Sequence, residues 1–453
     1  MSVRVVPDWI EDRVKNGLLE MQEYVRLLGQ VGRALVSGPY YWRDIVEQFD
    51  AIGAGSLAVV LLIGYTWAFH DVFTSRFPGA NDFYPRYAAA HLMLREGVNP
   101  YSRAATDWIQ DRIYGGTTPS SPDFHSFAYP LYSILLAAPY LLLPDYAWAQ
   151  AAWQVTLQVL LVITIILILK YIDWQPPRWL LVLICLWSVL SYSSARAIIL
   201  GQFSILVFFL TILAFWLLLR GEASPQRDAA AGICLAVSTV KPQMQFLIIP
   251  FLVLWALRSR RWYFLGSAAL SMAALVAVLF ATLPRWPADG LRQSLDYPAY
   301  TPPAVADILT HEIAGLGAAA QWALRIVLMV YLLAEWVPVL RDPRSPRLDW
   351  VLALTLVITH FLAPRTATTH YLVFLFAYIP LLRMWQARHS ILPVGFMLIM
   401  SVSEWWLFAT TTIGDAEANI MFIPQPFIVL ALLLLARPAA ERFAQPPPRA
   451  AEP

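Results

Sequence analysis

Apolar stretches long enough to cross a bilayer recur along almost the whole chain, and no other feature limits the fold as strongly. A spanning helix needs about 20 mostly apolar residues. Runs of that kind cover 52–70, 147–170, 178–199, 203–220, 262–283, 318–340, 391–411 and 419–437, with shorter ones at 348–363 and 369–385. The stretch 229–258 is interrupted by Lys241-Pro242-Gln243 and reads as two short crossings, 229–241 and 245–258, because proline removes a helix donor and restricts the residue before it. The run 127–143 carries Pro130 and Pro139 and is short for a span, so it fits a half-inserted juxtamembrane helix. A mean hydropathy of +0.57, with 59% hydrophobic and 14% charged residues, suits a chain whose solvent is lipid. The expected fold is an all-α polytopic membrane bundle of about twelve crossings.

Charge orients that bundle. If 127–143 does not span, the short loops on one side carry Lys170, Arg178, Arg220, Arg227, Arg258, Arg260, Arg261, Arg341, Arg344, Arg347, Arg383 and Arg388. By the positive-inside rule that side is cytoplasmic. The other side holds Asp71, Asp82, Asp107, Asp111, Asp123, Asp289, Asp296 and Asp307. Residues 1–50 then read as a cytoplasmic amphipathic segment suited to an interfacial anchor. Residues 51–437 form the transmembrane domain, and 438–453 a proline-rich disordered cytoplasmic tail. Because residues 1–50 are mixed polar and the first long apolar run starts near Ala51, a cleavable signal peptide is not expected.

Several function classes are excluded at this level. A net charge of +2 over 453 residues gives no footprint for nucleic acid. The two cysteines, Cys185 and Cys234, lie inside apolar runs and read as packing residues. There is no zinc spacing, phosphate loop or dinucleotide fingerprint, and no D-x-D pattern in the first outer loop, so neither metal nor cofactor is indicated.

The chemistry-bearing residues gather at one boundary. The first outer loop, 71–126, is long for a bundle connection, and long structured loops are usually functional. Its residues 83–95 read as an amphipathic helix with Phe83, Tyr87, Ala90 and Leu94 on one face and Arg86 and Arg95 elsewhere, followed by a second helix over about 103–114. Asp82 precedes the first of these helices, where a carboxylate serves either as a general base or as a helix N-cap. Lys241 is one of three lysines and lies in an apolar stretch, a position that is costly unless the ammonium faces water or a partner. Gln202 separates two apolar runs, and Arg365 and His370 bracket the connection between two more. An arginine there suits bidentate binding of a phosphate. Tyr84, Arg86, Tyr129, Gln243 and Glu404 complete the candidates as cavity-lining residues, with Glu404 either lining a cavity or paired with an arginine. Asp82, Gln202, Lys241, Arg365 and His370 all fall at the outer membrane boundary, where a lipid phosphate would lie with its tail in the bilayer.

A set of short motifs makes the chain resemble a known family. They are Asn81-Asp82-Phe83-Tyr84, then Leu94 to Tyr101, Phe127-Ala128-Tyr129-Pro130, Gly201-Gln202-Phe203-Ser204, Val240-Lys241-Pro242-Gln243 followed by Arg258 to Trp262, and His370-Tyr371-Leu372. Their order and spacing, over roughly 75–440, resemble the GT-C glycosyltransferases, and within them family 87, the polyprenyl-phosphate-mannose-dependent mannosyltransferases. The family usually shows two prolines after the tyrosine, whereas Tyr129-Pro130-Leu131 keeps one.

The resemblance implies a helical bundle with juxtamembrane helices and an extracytoplasmic active site in the cell membrane. It also implies transfer of a hexose, commonly mannose, from a polyprenyl-phosphate donor to a lipid or glycan hydroxyl. Asp82 matches the family's catalytic base and His370 a histidine near the donor or acceptor. Charge and topology assign Lys241, Arg365 and Gln202 to the donor phosphate. A single base without a nucleophilic partner favours inversion at the sugar carbon. The competing classes are a transporter or lipid flippase, suggested by the broken stretch 229–258, and a non-enzymatic scaffold. An O-antigen-ligase-like transferase would place its large outer loop late in the chain.

Overall fold

The computed structural model describes residues 59–77, 79–115, 125–296, 304–412 and 417–443. The chain divides into two compact units, Met1–Trp67 and Ala68–Pro453. Of the first only 59–67 are described, an apolar helical stretch. The amphipathic segment expected over 1–50 lies outside the described residues. Everything that follows concerns the second unit.

That unit is all helical, with no strand among the described residues. Among the described residues five helices are long and apolar enough to cross a membrane: Tyr146–Tyr171, Trp262–Phe280, Gly317–Arg341, Ile391–Thr411 and Asn419–Arg442. A sixth crossing forms if Arg178–Leu190 and Tyr192–Ile199, bent by 55° at Ser191, count as one. The other expected crossings are shorter or broken. Ser204–Leu219, Ile248–Arg258 and Leu348–Leu362 are apolar but fall below spanning length. The stretch 229–258 splits into Pro225–Ser238, a 3-10 turn Pro242–Gln245 and Ile248–Arg258, with Lys241 in the break. The segment 127–143 forms one short apolar helix, Leu131–Leu142, in which 3-10 turns at both ends flank the α-helical turn Ile134–Ala137.

Burial sorts these helices into an interior and a lipid-facing rim. Every residue of Leu348–Leu362 is buried, and so is every residue of Thr368–Phe374. Trp262–Phe280 buries only Phe264 and Leu279, so the rest of its apolar surface suits lipid. Lipid gives little hydrophobic drive for one helix to bind another, so close packing must supply the attraction. Pro225–Ser238 achieves it against Trp262–Phe280 at Gly232, where an added Cβ would lie 2.4 Å from the Phe264 carbonyl oxygen and 2.8 Å from the Ala268 nitrogen. Charged groups at helix ends are paired off. Asp349 accepts from Arg220 at 2.7 Å and from the Tyr171 hydroxyl. Glu335 bridges Arg347 and Arg437, each at 2.7 Å, and Arg261 meets Asp228 at 3.1 Å.

Two expectations are corrected here. Order does not stop at residue 437: Arg437–Arg442 continues as a helical turn and Phe443 is fully buried. Arg383 donates to the Arg442 and Phe443 carbonyls at 3.3 and 3.4 Å. An apolar-run criterion misses this, since two small alanines and one phenylalanine suffice to dock the turn. Only 444–453 of the expected tail lies outside the described residues. In the first outer loop, helices Tyr84–Arg95 and Arg103–Tyr114 form, the latter capped by the Ser102 hydroxyl. The buried face of the first differs from expectation, for Arg86 is fully buried and Leu94 is 54% exposed. The guanidinium is taken out of water because aromatic rings receive it, lying 3.4 Å from the Tyr129 ring centroid and 4.1 Å from that of Phe203.

Substituting Gly232→Val forces two helix backbones apart. It is expected to destabilise the protein by about 1–3 kcal/mol, read as a lower thermal unfolding midpoint in lipid nanodiscs, whereas Gly266→Val, with open space around the position, leaves the midpoint unchanged.

Candidate active site

Asp82 is carried by a turn that the neighbouring helix grips through its backbone. Tyr146 donates to the Gly79 and Ala80 carbonyls at 3.0 and 3.1 Å, and the Gly79 N–H donates to Gln150 at 3.2 Å. Phe83, fully buried, stacks on Trp153 with ring centroids 5.1 Å apart. The turn then leans on the Leu200–Gln202 junction, where the Asp82 N–H donates to the Leu200 carbonyl at 3.0 Å and Trp153 to the Gly201 carbonyl at 2.8 Å. Gly201 makes this approach possible. Its φ is +65°, and a Cβ there would stand 2.8 Å from that of Phe83 and 3.0 Å from that of Ala80. The helix that follows has Phe83 at its N-cap with no side-chain cap bond. Asp82 is therefore not a helix cap, and its carboxylate is available for other contacts.

That carboxylate joins a buried relay. Gln202 donates through Nε2 to Asp82 Oδ2 at 2.5 Å. Lys241 donates through Nζ to Gln202 Oε1 and, at 2.9 Å, to the Ser204 hydroxyl. The ammonium can only donate, so the Gln202 amide must turn its oxygen to Lys241 and its nitrogen to Asp82. Lys241 and Gln202 are 3% and 7% exposed, and the charge of the lysine is thus shared with Asp82 across one amide. The helix break at Lys241-Pro242 is what lets this side chain leave the helix Pro225–Ser238 and reach Ser204.

The facing wall is the connection from Arg365 to His370. Thr368 donates to Glu417 at 2.6 Å, and Glu417 also accepts from the Tyr192 hydroxyl and pairs with Arg196 at 3.2 Å. His370 is 3% exposed and its Nδ1 finds no partner among the described residues. Its ring lies 5.8 Å from that of His360, another buried histidine. From the outer loop, Tyr101 donates to the Tyr129 carbonyl at 2.6 Å, and burial pushes the Tyr101 phenol up, which keeps it a donor.

Together these walls enclose a cavity of about 160 Å³. Of the residues expected to converge, Asp82, Tyr129, Gln202, Lys241, Gln243, Arg365 and His370 all line it. Three do not. Tyr84 packs edge-on to Tyr146 at 4.8 Å and parallel to Trp108 at 5.9 Å, inside an aromatic cluster of the outer loop. Arg86 lies behind Tyr129 and donates to the Asp82 carbonyl at 2.5 Å, so it supports the turn from beneath. Glu404 lines a second cavity, and its partner is Gln425, not an arginine. Arg196, Glu417 and Thr368 line the site without having been anticipated. Arg196 had a usable signal, an arginine in the run 178–199 just after Ser193 and Ser194. Glu417 had none, being one acid in a connection. Among the described residues no three His, Cys, Asp or Glu side chains converge as metal ligands.

The relay depends on the close contact at Gly201. Gly201→Ala is expected to displace the Asp82 turn and destabilise the protein by about 1–3 kcal/mol. Thermal unfolding in lipid nanodiscs checks this, and an unchanged midpoint would remove the positional role of the contact.

The sequence model of glycosyltransferase family 87 matches residues 127–364, just over half of the chain, and the chain belongs to that family. No curated protein and no solved structure matches it. Membership makes the protein a membrane glycosyltransferase, and the transporter and scaffold readings fall away.

Proposed function

We propose, from the premise that this chain is a family 87 glycosyltransferase, that it moves a hexose from a polyprenyl-phosphate donor to a hydroxyl of a lipid or glycan acceptor at the outer leaflet of the cell membrane. Mannose is the sugar the family commonly carries. The observation behind this reading is that the Asp82 carboxylate shares a small cavity with the cations Lys241, Arg196 and Arg365. The abundance of arginine in the opposite short loops supports the outward orientation.

The chemistry is a single displacement. The acceptor oxygen attacks the anomeric carbon as its proton passes to Asp82, and the bond from that carbon to the phosphate oxygen breaks with its electron pair leaving on the phosphate. Asp82 is suited to the proton because Gln202 occupies only Oδ2 and fixes the direction of the carboxylate. Developing charge on the leaving phosphate needs pre-arranged cations. Gln202 has both ends of its amide committed to Asp82 and Lys241, and Lys241 has two of its three N–H groups engaged. The phosphate contacts are assigned to Arg365 and Arg196, which line the cavity with Arg196 also paired to Glu417, while Lys241 and Gln202 position the base. Glu417, the other carboxylate lining the cavity, is held by Arg196, Thr368 and Tyr192. With that acid engaged and no further carboxylate among the described residues lining the cavity, inversion at the sugar carbon is the expected outcome. The uncommitted Nδ1 of His370 suits a hydroxyl of the transferred sugar.

The test is a transfer assay with purified protein, a panel of polyprenyl-phosphate hexoses and membrane lipid extract as acceptor. Product carrying the inverted linkage supports the reading; its absence with every donor sinks it. Asp82→Asn is expected to lower turnover by about 10² to 10⁴ in protein that still elutes as a folded species.

Arg365 and Lys241 are separable by kinetics. Arg365→Ala should raise the KM for donor, whereas Lys241→Met should lower kcat with donor KM nearly constant, because it frees the Gln202 amide to turn. A large rise in donor KM for Lys241→Met would return the lysine to direct phosphate binding.

A further inference from the structure

A second cavity, of about 190 Å³, adjoins the first and shares Thr368 with it. Its walls are mostly apolar, with Met400, Trp406, Leu407, Met421 and Ile428 among them. Inside it sits a short polar chain. Ser193 donates to Gln425 Oε1 at 2.9 Å, and Gln425 donates through Nε2 to Glu404 Oε1. The Gln425 amide is thereby fixed from both ends. Glu404 is 8% exposed, the Tyr192 backbone N–H faces its carboxyl, and Oε2 finds no hydrogen-bond partner among the described residues. An acid in a candidate spanning helix with one oxygen unmet is costly unless a ligand meets it.

The lining narrows what that ligand is. None of the side chains around this cavity is cationic, so a phosphate would face a carboxyl with nothing to neutralise it. A bare hydrocarbon chain would leave Glu404 Oε2 unsatisfied. A hydroxyl meets the need by donating to Oε2, an acceptor that an amide nitrogen at this position could not replace. Glu404 lies two helical turns, about 10 Å, from the Thr411 end of its helix. Trp406 and Ser403, on the cavity's outer edge, are exposed on the apolar surface of the bundle. A ligand at that depth with that opening enters sideways from the bilayer.

We propose that this cavity seats the hydroxyl-bearing head of a membrane-lipid acceptor, bound through Glu404 and Gln425, with its next hydroxyl presented past Thr368 to Asp82. The assignment rests on the transferase reading and divides its substrates: the cationic cavity takes the phosphate-bearing donor, the uncharged one the acceptor. The Tyr192–Glu417–Thr368 bonds form the partition between them.

Two measurements on full-length protein in nanodiscs test it. In transfer assays with lipid-extract acceptor, Glu404→Gln retains the shape and an oxygen for Gln425, yet should raise the acceptor KM about tenfold while donor KM stays within twofold. A rise in donor KM alone, or no change in either, overturns the proposal. Independently of turnover, a photoreactive long-chain alkyl glucoside should label peptides containing Trp406 or Ile428, and Glu404→Gln should weaken that labelling, with a chain-matched alkyl phosphate failing to compete. Labelling spread over the lipid-facing helices and indifferent to Glu404→Gln overturns it, as does equal competition by a water-soluble oligosaccharide. If labelling behaves as expected but no donor supports transfer, the lipid-head site stands and the polyprenyl-phosphate reading is what fails.

Discussion

A charge placed in an apolar bundle has to be shared with a partner, and the sharing of the Lys241 charge with Asp82 organises this protein. The two groups do not touch. Gln202 lies between them and takes the lysine on its oxygen and the aspartate on its nitrogen. Because the amide has one orientation compatible with both, the relay fixes the direction of the carboxylate as well as its surroundings. Three otherwise odd features serve that geometry: the helix break at Pro242, the left-handed Gly201 and the tyrosine that holds the Gly79–Ala80 backbone.

Electrostatic division of labour follows from the same constraint. The cavity around Asp82 contains the cations, and the neighbouring cavity around Glu404 contains none. The cations suit a phosphate leaving group; the second cavity's lining suits a neutral hydroxylated head beside hydrocarbon. Glu417, tied to Arg196, Thr368 and Tyr192, stands between the two environments, and its three partners distinguish it from Asp82, whose carboxylate meets Gln202 through Oδ2. Elsewhere the arginines are consumed structurally, pairing with Asp228, Glu335 and Asp349 at helix ends, where an unpaired acid would be expensive to bury.

Much of the site was legible because its residues break local rules. A lysine inside an apolar stretch, an aspartate before an interfacial helix and an Arg–His pair between two runs each contradict their surroundings, and the structure places all of them on one cavity. What was misread lay in side-chain direction. Arg86 was placed off the buried face because arginine on a helix normally seeks water, and only the rings of Tyr129 and Phe203 explain why it is buried. Glu404 was located in the right helix and assigned an uncertain partner, since nothing local reveals that Gln425 stands opposite.

The sequence by itself determined the class of fold, an all-helical membrane bundle. That follows from a quantity additive along the chain, hydropathy per residue, which lipid reads directly. The crossing count was less secure, because short and broken helices such as Leu348–Leu362 owe their place to burial on all sides, not to length. Only the tertiary structure decided that Gln202 links lysine to aspartate, that Arg196 and Glu417 join the site, and that Glu404 belongs to a second chamber. Those outcomes depend on contacts between residues tens to hundreds of positions apart, such as Gln202 with Asp82 and Tyr192 with Glu417, and hydrogen-bond direction is a property of the pair, which neither member's local sequence encodes.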